Sequence, residues 1–191
     1  MTRGRLEAFS DGVLAIVITI MVLELVPPHE SQLEALFELW PKFLAYVMSF
    51  AYIGIYWVNH HHLLHNVHAV TARVLWSNMH LLFWLSLVPF TTAWMGENSF
   101  APIPTAVYGA SLIMPAIAFA FLVGAIVRIP GQKPTLAEEV GRDWKGKVSI
   151  LIYVIGVPVA LFAPLLAVAI FIAVAALWIV PDQRFARSVS S

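Results

Sequence analysis

The chain has 191 residues, of which 60% are hydrophobic and 12% are charged, and its formal net charge is zero. Soluble domains carry about 25% charged residues, so this composition indicates an integral membrane protein. The sequence has no cysteine, which excludes disulfides and thiolate chemistry, and the zero net charge gives no basis for nucleic-acid binding.

Six apolar segments follow one another along the chain, and each is expected to cross the membrane once. The last two come from one stretch, residues 148–180, which contains no charge. As a single helix that stretch would be about 50 Å long, so it is divided near Ala163 and Pro164. We expect one all-α domain over residues 1–191 with transmembrane helices near 9–26, 40–64, 74–95, 101–127, 148–163 and 164–180.

Two kinds of residue mark the ends of these segments. Ser31 and Glu34 have the spacing of a capping box, which predicts that the second helix begins there. Pro89, Pro115, Pro158 and Pro164 fall within or between the apolar segments and are expected to kink or interrupt helices.

Basic residues fall almost entirely on one side of the predicted membrane. With the N-terminus inside, six crossings leave only Lys42 outside, which is a strong positive-inside pattern. We therefore expect a multi-pass protein of the plasma membrane with both termini cytoplasmic. The basic residues on the cytoplasmic side would be Arg3, Arg5, Arg73, Arg128, Lys133, Arg142, Lys145, Lys147, Arg184 and Arg187.

The first segment is unusually short between its charges. Only twelve uncharged residues separate Asp11 from Glu24, and they span roughly 18 Å as a helix. A lipid-facing helix needs about 20 apolar residues to cross a hydrocarbon core near 30 Å. Ionisable groups inside membranes usually face a bundle interior or a wet cavity, so the first helix is a candidate for lining one.

Helical periodicity divides the first segment into faces. At about 100° per residue, Gly12, Ile16, Thr19, Ile20 and Leu23 share one face, while Asp11 points away from it. Asp11 is therefore predicted to anchor helix packing rather than to bind an ion. Because a buried carboxylate without partners is costly, we expect polar partners for it at the ends of segments two and three. The candidates are Asn59, His60, Asn78 and His80.

The start of the chain also carries a recognisable motif. Arg5-x-x-x-Phe9-Ser10-Asp11 resembles the R-x-x-x-F-S-D motif of the lysosomal and prokaryotic potassium channels of the transmembrane protein 175 type. The run Trp57-Val-Asn59-His60-His61 and the stretch from Asn78 to Phe90 also look like that family. The resemblance covers segments one to three in sequence, and segments four to six by topology alone.

The resemblance implies a fold, an assembly and a pore. A six-helix unit would assemble as a homotetramer in the lipid bilayer, with the four first helices around a central pore for K⁺. Ile16 would form the tightest constriction, Thr19 would contribute to selectivity, and Leu23 would lie beyond them, with Gly12 and Ile20 as secondary pore-face residues. The family lacks a T-V-G-Y-G filter, and this chain has none either.

The motif residues would then have structural roles. Arg5, Phe9, Ser10 and Asp11 would hold the first helix in place, and Arg5 is expected to pair with Glu7 or a helix C-terminus, or to act as a positive-inside anchor. His80 and Trp84 lie one turn apart and are predicted to pack against the first helix.

The histidines at 60, 61, 62, 65 and 68 leave alternatives open: a structural or interfacial role, pH sensing, or a metal site. No carboxylate joins them in the H-E-x-x-H manner, and we predict no metal. The favoured function is a passive potassium-permeable channel without a cofactor and without enzymatic activity. A secondary transporter of a small solute or ion, and an integral-membrane enzyme using the histidines, are the alternatives.

Overall fold

The computed structural model describes residues 2–65, 67–131 and 144–179, and within these ranges the regular secondary structure is entirely helical. The prediction of an all-α protein is therefore confirmed. Lys133, Arg142, Arg184 and Arg187, which contributed to the charge argument, lie outside the described residues. The helices are α1 (Arg3–Leu23), α2 (Leu33–Glu38), α3 (Trp40–His65), α4 (Ala72–Ser86), α5 (Val88–Glu97), α6 (Pro102–Val127), α7 (Trp144–Phe162) and α8 (Pro164–Ile179).

Several of these helices are long and apolar enough to cross a membrane. They are α1, residues Ala72–Glu97 (which comprise α4 and α5), α6, and residues Lys145–Phe162 of α7. Helix α8 is apolar but has only 16 residues, and α3, with 26 residues, is not among these candidates. The chain is thus a multi-pass membrane protein, while crossings at 40–64 and 164–180 stay predictions.

The predicted third segment, 74–95, is divided into two helices. Helix α4 ends at Ser86 and α5 begins at Val88, with Pro89 in the first turn of α5. Proline lacks the N–H that would continue the helix, and its ring clashes with the carbonyl four residues earlier, here that of Leu85. The sequence predicted an interruption at Pro89, but it treated residues 74–95 as one segment instead of two helices.

The capping box predicted at Ser31 is wrong. A short helix, α2, begins after Gln32, which serves as the N-cap without a side-chain hydrogen bond. Helix α3 then starts separately at Trp40. Helical periodicity is recognised over windows of about 11–18 residues, and α2 has only six. The sequence therefore contains no separate signal for α2, whose start is predicted as the start of the second transmembrane helix.

The helices pack around a core that leaves α1 on one side. Helix α6 lies against α4 and α7, α3 lies against α5, and α7 pairs with α8. Helix α1 packs against α3, α4 and α5 through a single stripe of buried residues, namely Leu6, Ser10, Leu14, Val17 and Met21. Their spacing of three or four residues is that of one helix face, so the opposite face of α1 is free of contact within the protomer.

The interior of the bundle contains paired polar side chains. Ser49 of α3 lies 2.7 Å from the hydroxyl of Thr92 on α5 and 3.0 Å from that of Tyr108 on α6. The approach of α3 and α5 is close, because a Cβ on Gly96 would lie 3.0 Å from the Cα of Lys42. Small residues and interhelical hydrogen bonds of this kind hold helices together in lipid.

Candidate functional site on the first helix

The serine of the R-x-x-x-F-S-D motif is the centre of a buried polar chain. The Ser10 hydroxyl donates to the carbonyl of Leu6 at 2.9 Å and accepts from Asn78 Nδ2 at 3.0 Å. Asn78 Oδ1 lies 2.6 Å from His60 Nε2. Because the amide oxygen can only accept, the proton of this last bond belongs to His60. The chain joins α1, α4 and α3, and all three side chains are buried.

The aspartate of the motif lies on the flank of α1 and is exposed in the protomer. Its Oδ1 accepts a hydrogen bond of 3.0 Å from the indole Nε1 of Trp57 on α3. One residue corresponds to about 100° of rotation, so Asp11 faces the edge of the interface while Ser10 faces its centre. The sequence therefore indicated a buried anchor, but the structure places this carboxylate at the edge of the interface and exposed.

The residues proposed as partners of Asp11 bond elsewhere. His60 and Asn78 bind each other and Ser10, as described above. Asn59 Nδ2 donates to the carbonyl of Ile55 on its own helix, and His80 Nε2 accepts from Trp84 Nε1 at 2.8 Å. The sequence singled out Trp57 only as part of the run Trp57-Val-Asn59-His60-His61 and indicated no partner for it. The signal that could have identified it is that a Trp N–H near a buried surface usually needs an acceptor.

The contact with a helix C-terminus is made by Arg3 instead of Arg5. Arg3 donates to the carbonyl of His65, at the end of α3, at 2.7 Å, and its Nε lies 3.6 Å from Glu7. Arg3 lies seven residues before Ser10 and therefore on the same stripe, which faces α3. Arg5 is exposed on the opposite side and forms no ion pair with any residue the structure describes.

The five residues predicted to share a face are all exposed in the protomer. Ile16 is 59% exposed, Ile20 43% and Leu23 74%, and Gly12 and Thr19 are also exposed. Arg5 and Phe9 extend this surface towards the N-terminus. This exposed α1 face lies opposite the buried stripe, so within a membrane it must contact lipid, water or another chain.

Thr19 has a specific orientation on this face. Its hydroxyl lies 3.0 Å from the carbonyls of both Ala15 and Ile16, to which it donates. The proton is therefore directed to the helix backbone, and the lone pairs of the oxygen remain available on the exposed side.

A groove runs beside the exposed face, between α1 and the α4–α5 segment. Its volume is about 600 Å³. Ile16 and Ile20 line one wall, while Phe90 and Trp94, whose rings lie 6.3 Å apart, line the other. Glu24 and Glu97 lie where α1 and α5 end. The groove is thus apolar along its length and acidic at one end.

The histidine cluster is divided by the fold. His60 is buried in the polar chain, whereas His61 and His65 are exposed on α3 with ring centroids 6.4 Å apart. Within residues 2–65, 67–131 and 144–179, no three His, Asp or Glu side chains are grouped so that they could hold a metal ion. His61 and His65 together would supply only two of the four ligands that a structural zinc site requires.

Comparison with known proteins gives consistent matches. The profile of the family described as endosomal/lysosomal potassium channel TMEM175 matches residues 5–89. A protein of Chryseobacterium sp. (strain P1-3) named potassium channel is 50% identical over 189 residues, covering 99% of this chain and 98% of that protein. A human protein named endosomal/lysosomal proton channel TMEM175 is 40% identical over 96 residues, which cover 44% of this chain and 19% of the human protein.

A solved structure is also similar over most of the chain. It is described as the crystal structure of a lysosomal potassium-selective channel TMEM175 homolog from Chamaesiphon minutus. The TM-score is 0.80 with 31% sequence identity, and the match covers 92% of this chain and 95% of that one. The similarity therefore extends beyond the motif region to the whole helical bundle.

Proposed function

We propose that this chain, which belongs to the TMEM175 family of potassium channels, is a potassium-permeable channel and not an enzyme. Its membership confirms the resemblance that the sequence motif indicated. The observation that carries this proposal is 50% identity to a potassium channel along almost the entire chain. The exposed α1 face, in a helix too short between Asp11 and Glu24 to face lipid throughout, supports it independently.

The active form is a homotetramer in which four copies of α1 surround a central axis. The exposed α1 face supplies the lining, with Ile16 at the constriction, Thr19 and Leu23 beyond it, and Gly12 and Ile20 beside them. Ile16 and Leu23 are among the more exposed apolar residues of the described chain, and both carry branched aliphatic side chains.

The chemistry of this face suits the passage of a weakly hydrated cation. A ring of isoleucines forms an apolar constriction that empties of water when narrow and conducts when it widens. A ring of Thr19 oxygens, whose protons are directed to the backbone, offers lone pairs to a partly dehydrated ion. Such a pore has no carbonyl filter, and K⁺ is its permeant ion, with no bound cofactor.

The membrane topology follows from the charges and the helices together. Residues 1–191 form one unit that crosses the plasma membrane six times, with α4 and α5 as one crossing and both termini cytoplasmic. Helix α3, with 26 residues, is about 39 Å long and sufficient for a crossing. Arg3, Arg5 and Arg73 support the cytoplasmic assignment of the N-terminal half, and Trp40 and Trp94 support the outer boundary.

A secondary transporter is the second candidate, and the structure offers it less support. Such a protein needs polar groups near the membrane midplane that are available to a substrate. Among the described residues, Thr105 Oγ1 is the only buried side-chain nitrogen or oxygen without a hydrogen-bond partner. The Ser10–Asn78–His60 chain and the Ser49 group are satisfied internally.

The test is reconstitution of the purified protein into liposomes with an imposed K⁺ gradient, followed by recording in planar bilayers. A channel gives unitary current steps and a reversal potential near that of K⁺. Saturable flux without steps indicates a transporter. Because the human relative is named a proton channel, the same membranes are tested with a pH gradient, and current carried by H⁺ alone would contradict the proposal.

A further inference from the structure

Two arginines lie at one level of the bundle, at adjacent ends of α4 and α6. These helices pack against each other and run in opposite directions, because the turn at residues 98–101 joins α5 to α6. His80 of α4 is stacked on Phe121 of α6, with ring centroids 6.0 Å apart. Arg73 lies seven residues before His80, and Arg128 lies seven residues after Phe121. Seven residues are close to two helical turns, so both arginines lie on the same side as the stacked pair and about 10.5 Å beyond it.

Neither arginine has a counter-charge in the part of the chain that the structure describes. Arg73 and Arg128 are exposed, and the ion pairs found there are formed by Arg3 and Lys42. Helices α4 and α6 contain no Asp or Glu. Packed helices lie about 8–10 Å apart, so two long side chains at the same level can reach one anion between them. Two guanidinium groups that converge in this way favour a phosphate, whose oxygens accept bidentate hydrogen bonds from arginine.

An aromatic surface continues from the arginines along the two helices. Trp76, in the second turn of α4, is 72% exposed; Phe83, about two turns further, is 55% exposed, and Phe121 on α6 is 59% exposed. Gly124, between Phe121 and Arg128, leaves open space, because a Cβ placed there would meet nothing within 4 Å. Indole rings favour the headgroup level of a membrane, and phenyl rings favour its hydrocarbon core. The surface is thus basic at one end and apolar along the rest, which matches the two parts of a phospholipid.

This surface lies on the side of α4 that is turned away from α1. Asn78 of α4 makes the contact with Ser10 of α1. Asn78 lies two residues before His80 and five after Arg73, which places it about 140–160° around the helix from the arginine side. In the proposed channel the α1 helices surround the axis. The arginine side of α4 therefore lies at the periphery, where it meets the lipid bilayer and not the pore.

We propose that Arg73 and Arg128 together bind the phosphate of one anionic phospholipid, whose acyl chains lie along Trp76 and Phe121. The inference goes beyond the proposed function, because it concerns a bound lipid and not the conduction path. Only its assignment to the cytoplasmic leaflet rests on the proposed topology. Basic pockets between transmembrane helices on the cytoplasmic side bind anionic headgroups. A choline headgroup carries its own cation beside the phosphate, so it competes less well for the two arginines.

Native mass spectrometry of the purified full chain in detergent tests the site. Phosphatidylglycerol, an anionic phospholipid, is expected to bind about tenfold more tightly than phosphatidylcholine. Arg73→Gln and Arg128→Gln should each lower the affinity for phosphatidylglycerol about tenfold. The double variant should lose little more than either single variant, because both side chains hold the same phosphate. The matched control combines Arg5→Gln with Lys147→Gln, which removes two exposed positive charges elsewhere, and it should retain the binding.

A second measurement locates the acyl chains. Phosphatidylglycerol brominated on its acyl chains is added at low mole fraction to phosphatidylcholine vesicles that contain the protein, and its quenching of tryptophan fluorescence is recorded. Trp76→Phe should remove a larger share of this quenching than Trp57→Phe, which removes an exposed indole of α3. Phosphatidylcholine carrying the same bromines should not distinguish the two variants.

Several results would overturn the inference. They are equal affinity for the two phospholipids, undiminished binding of phosphatidylglycerol to the double arginine variant, and equal losses of quenching for the two tryptophan variants. Strictly additive losses at Arg73 and Arg128 would indicate two separate surface charges and would exclude the shared phosphate. Displacement of phosphatidylglycerol by inorganic phosphate at the same concentration would indicate a site for a soluble anion and would exclude the lipid. None of these results bears on conduction, which bilayer recording tests separately.

Discussion

The indole N–H of Trp57 donates to the Asp11 carboxylate at 3.0 Å, which ties the last residue of the sequence motif to α3. The contact lies at the edge of the α1–α3 interface, since both residues are exposed while the neighbouring Ser10 is fully buried. The motif thus holds α1 at two adjacent points, one buried and neutral, the other exposed and charged.

The first prediction concerns this edge contact. Asp11→Ala and Trp57→Phe should each lower the free energy of unfolding by about 1 kcal/mol, because each removes the same hydrogen bond. The double variant should lose little more than either single variant, since the two residues act as a pair. Unfolding in detergent with increasing denaturant measures all four proteins. Strictly additive losses would show that the bond contributes nothing.

The second prediction concerns the buried chain. Asn78→Leu should destabilise the fold by about 2–4 kcal/mol, because the buried His60 imidazole loses its partner and the buried Ser10 hydroxyl keeps only its bond to the Leu6 carbonyl. Asn59→Leu is the matched control, since the Asn59 amide bonds only to its own helix at Ile55, and its effect should be within about 1 kcal/mol. Equal losses for the two variants would contradict the assignment of the chain.

The third prediction tests the constriction. Ile16→Asn should raise cation flux and bring the K⁺ and Na⁺ permeabilities closer together, because a polar side chain hydrates a narrow apolar ring. Ile155→Asn makes the same chemical change at a similarly exposed position on α7 and should leave flux unchanged. Liposome flux with each ion in turn provides the measurement. The pore assignment is lost if the two variants behave alike.

The fourth prediction separates selectivity from stability at Thr19. Thr19→Val removes the oxygen from the exposed face, and the K⁺ over Na⁺ preference should fall in bilayer recordings. The unfolding free energy should change little, because the hydroxyl bonds only to carbonyls of its own helix. Thr19→Ser, which retains the oxygen, should keep the preference. A Thr19→Val channel with wild-type selectivity would exclude this residue from the ion path.

The fifth prediction concerns packing at Phe171 of α8. A Cβ on Gly109 would lie 2.6 Å from Phe171 Cζ, so Gly109→Ala should cost about 1–3 kcal/mol through overpacking. A Cβ on Gly124, in the same helix, meets nothing within 4 Å. Gly124→Ala should therefore be neutral or stabilise by about 0.5–1 kcal/mol, because alanine loses less backbone entropy. Denaturant midpoints of the two variants distinguish the sites.

Local sequence features predicted local structure well. The apolar segments, the interruption near Pro89 and the division at Pro164 appear in the structure close to where composition and proline placed them. Pro115 and Pro158, by contrast, lie inside α6 and α7 and do not interrupt them. Periodicity likewise grouped Gly12, Ile16, Thr19, Ile20 and Leu23, all of which are exposed together. The helices and the grouping of residues on a face depend on residues within one or two turns, so the chain specifies them without tertiary contacts, whereas the exposure of that face depends on packing.

The sequence by itself determined a helical membrane protein and the contents of each face of α1, because hydropathy and helical period act along the chain. Only the tertiary structure decided that Trp57, Arg3 and Asn78 make the contacts that fix α1. Those bonds join residues 46, 62 and 68 positions apart, and their partners depend on how α3 and α4 pack. A 100° step along one helix separates a buried centre from an exposed edge, and only packing decides which residue takes which place.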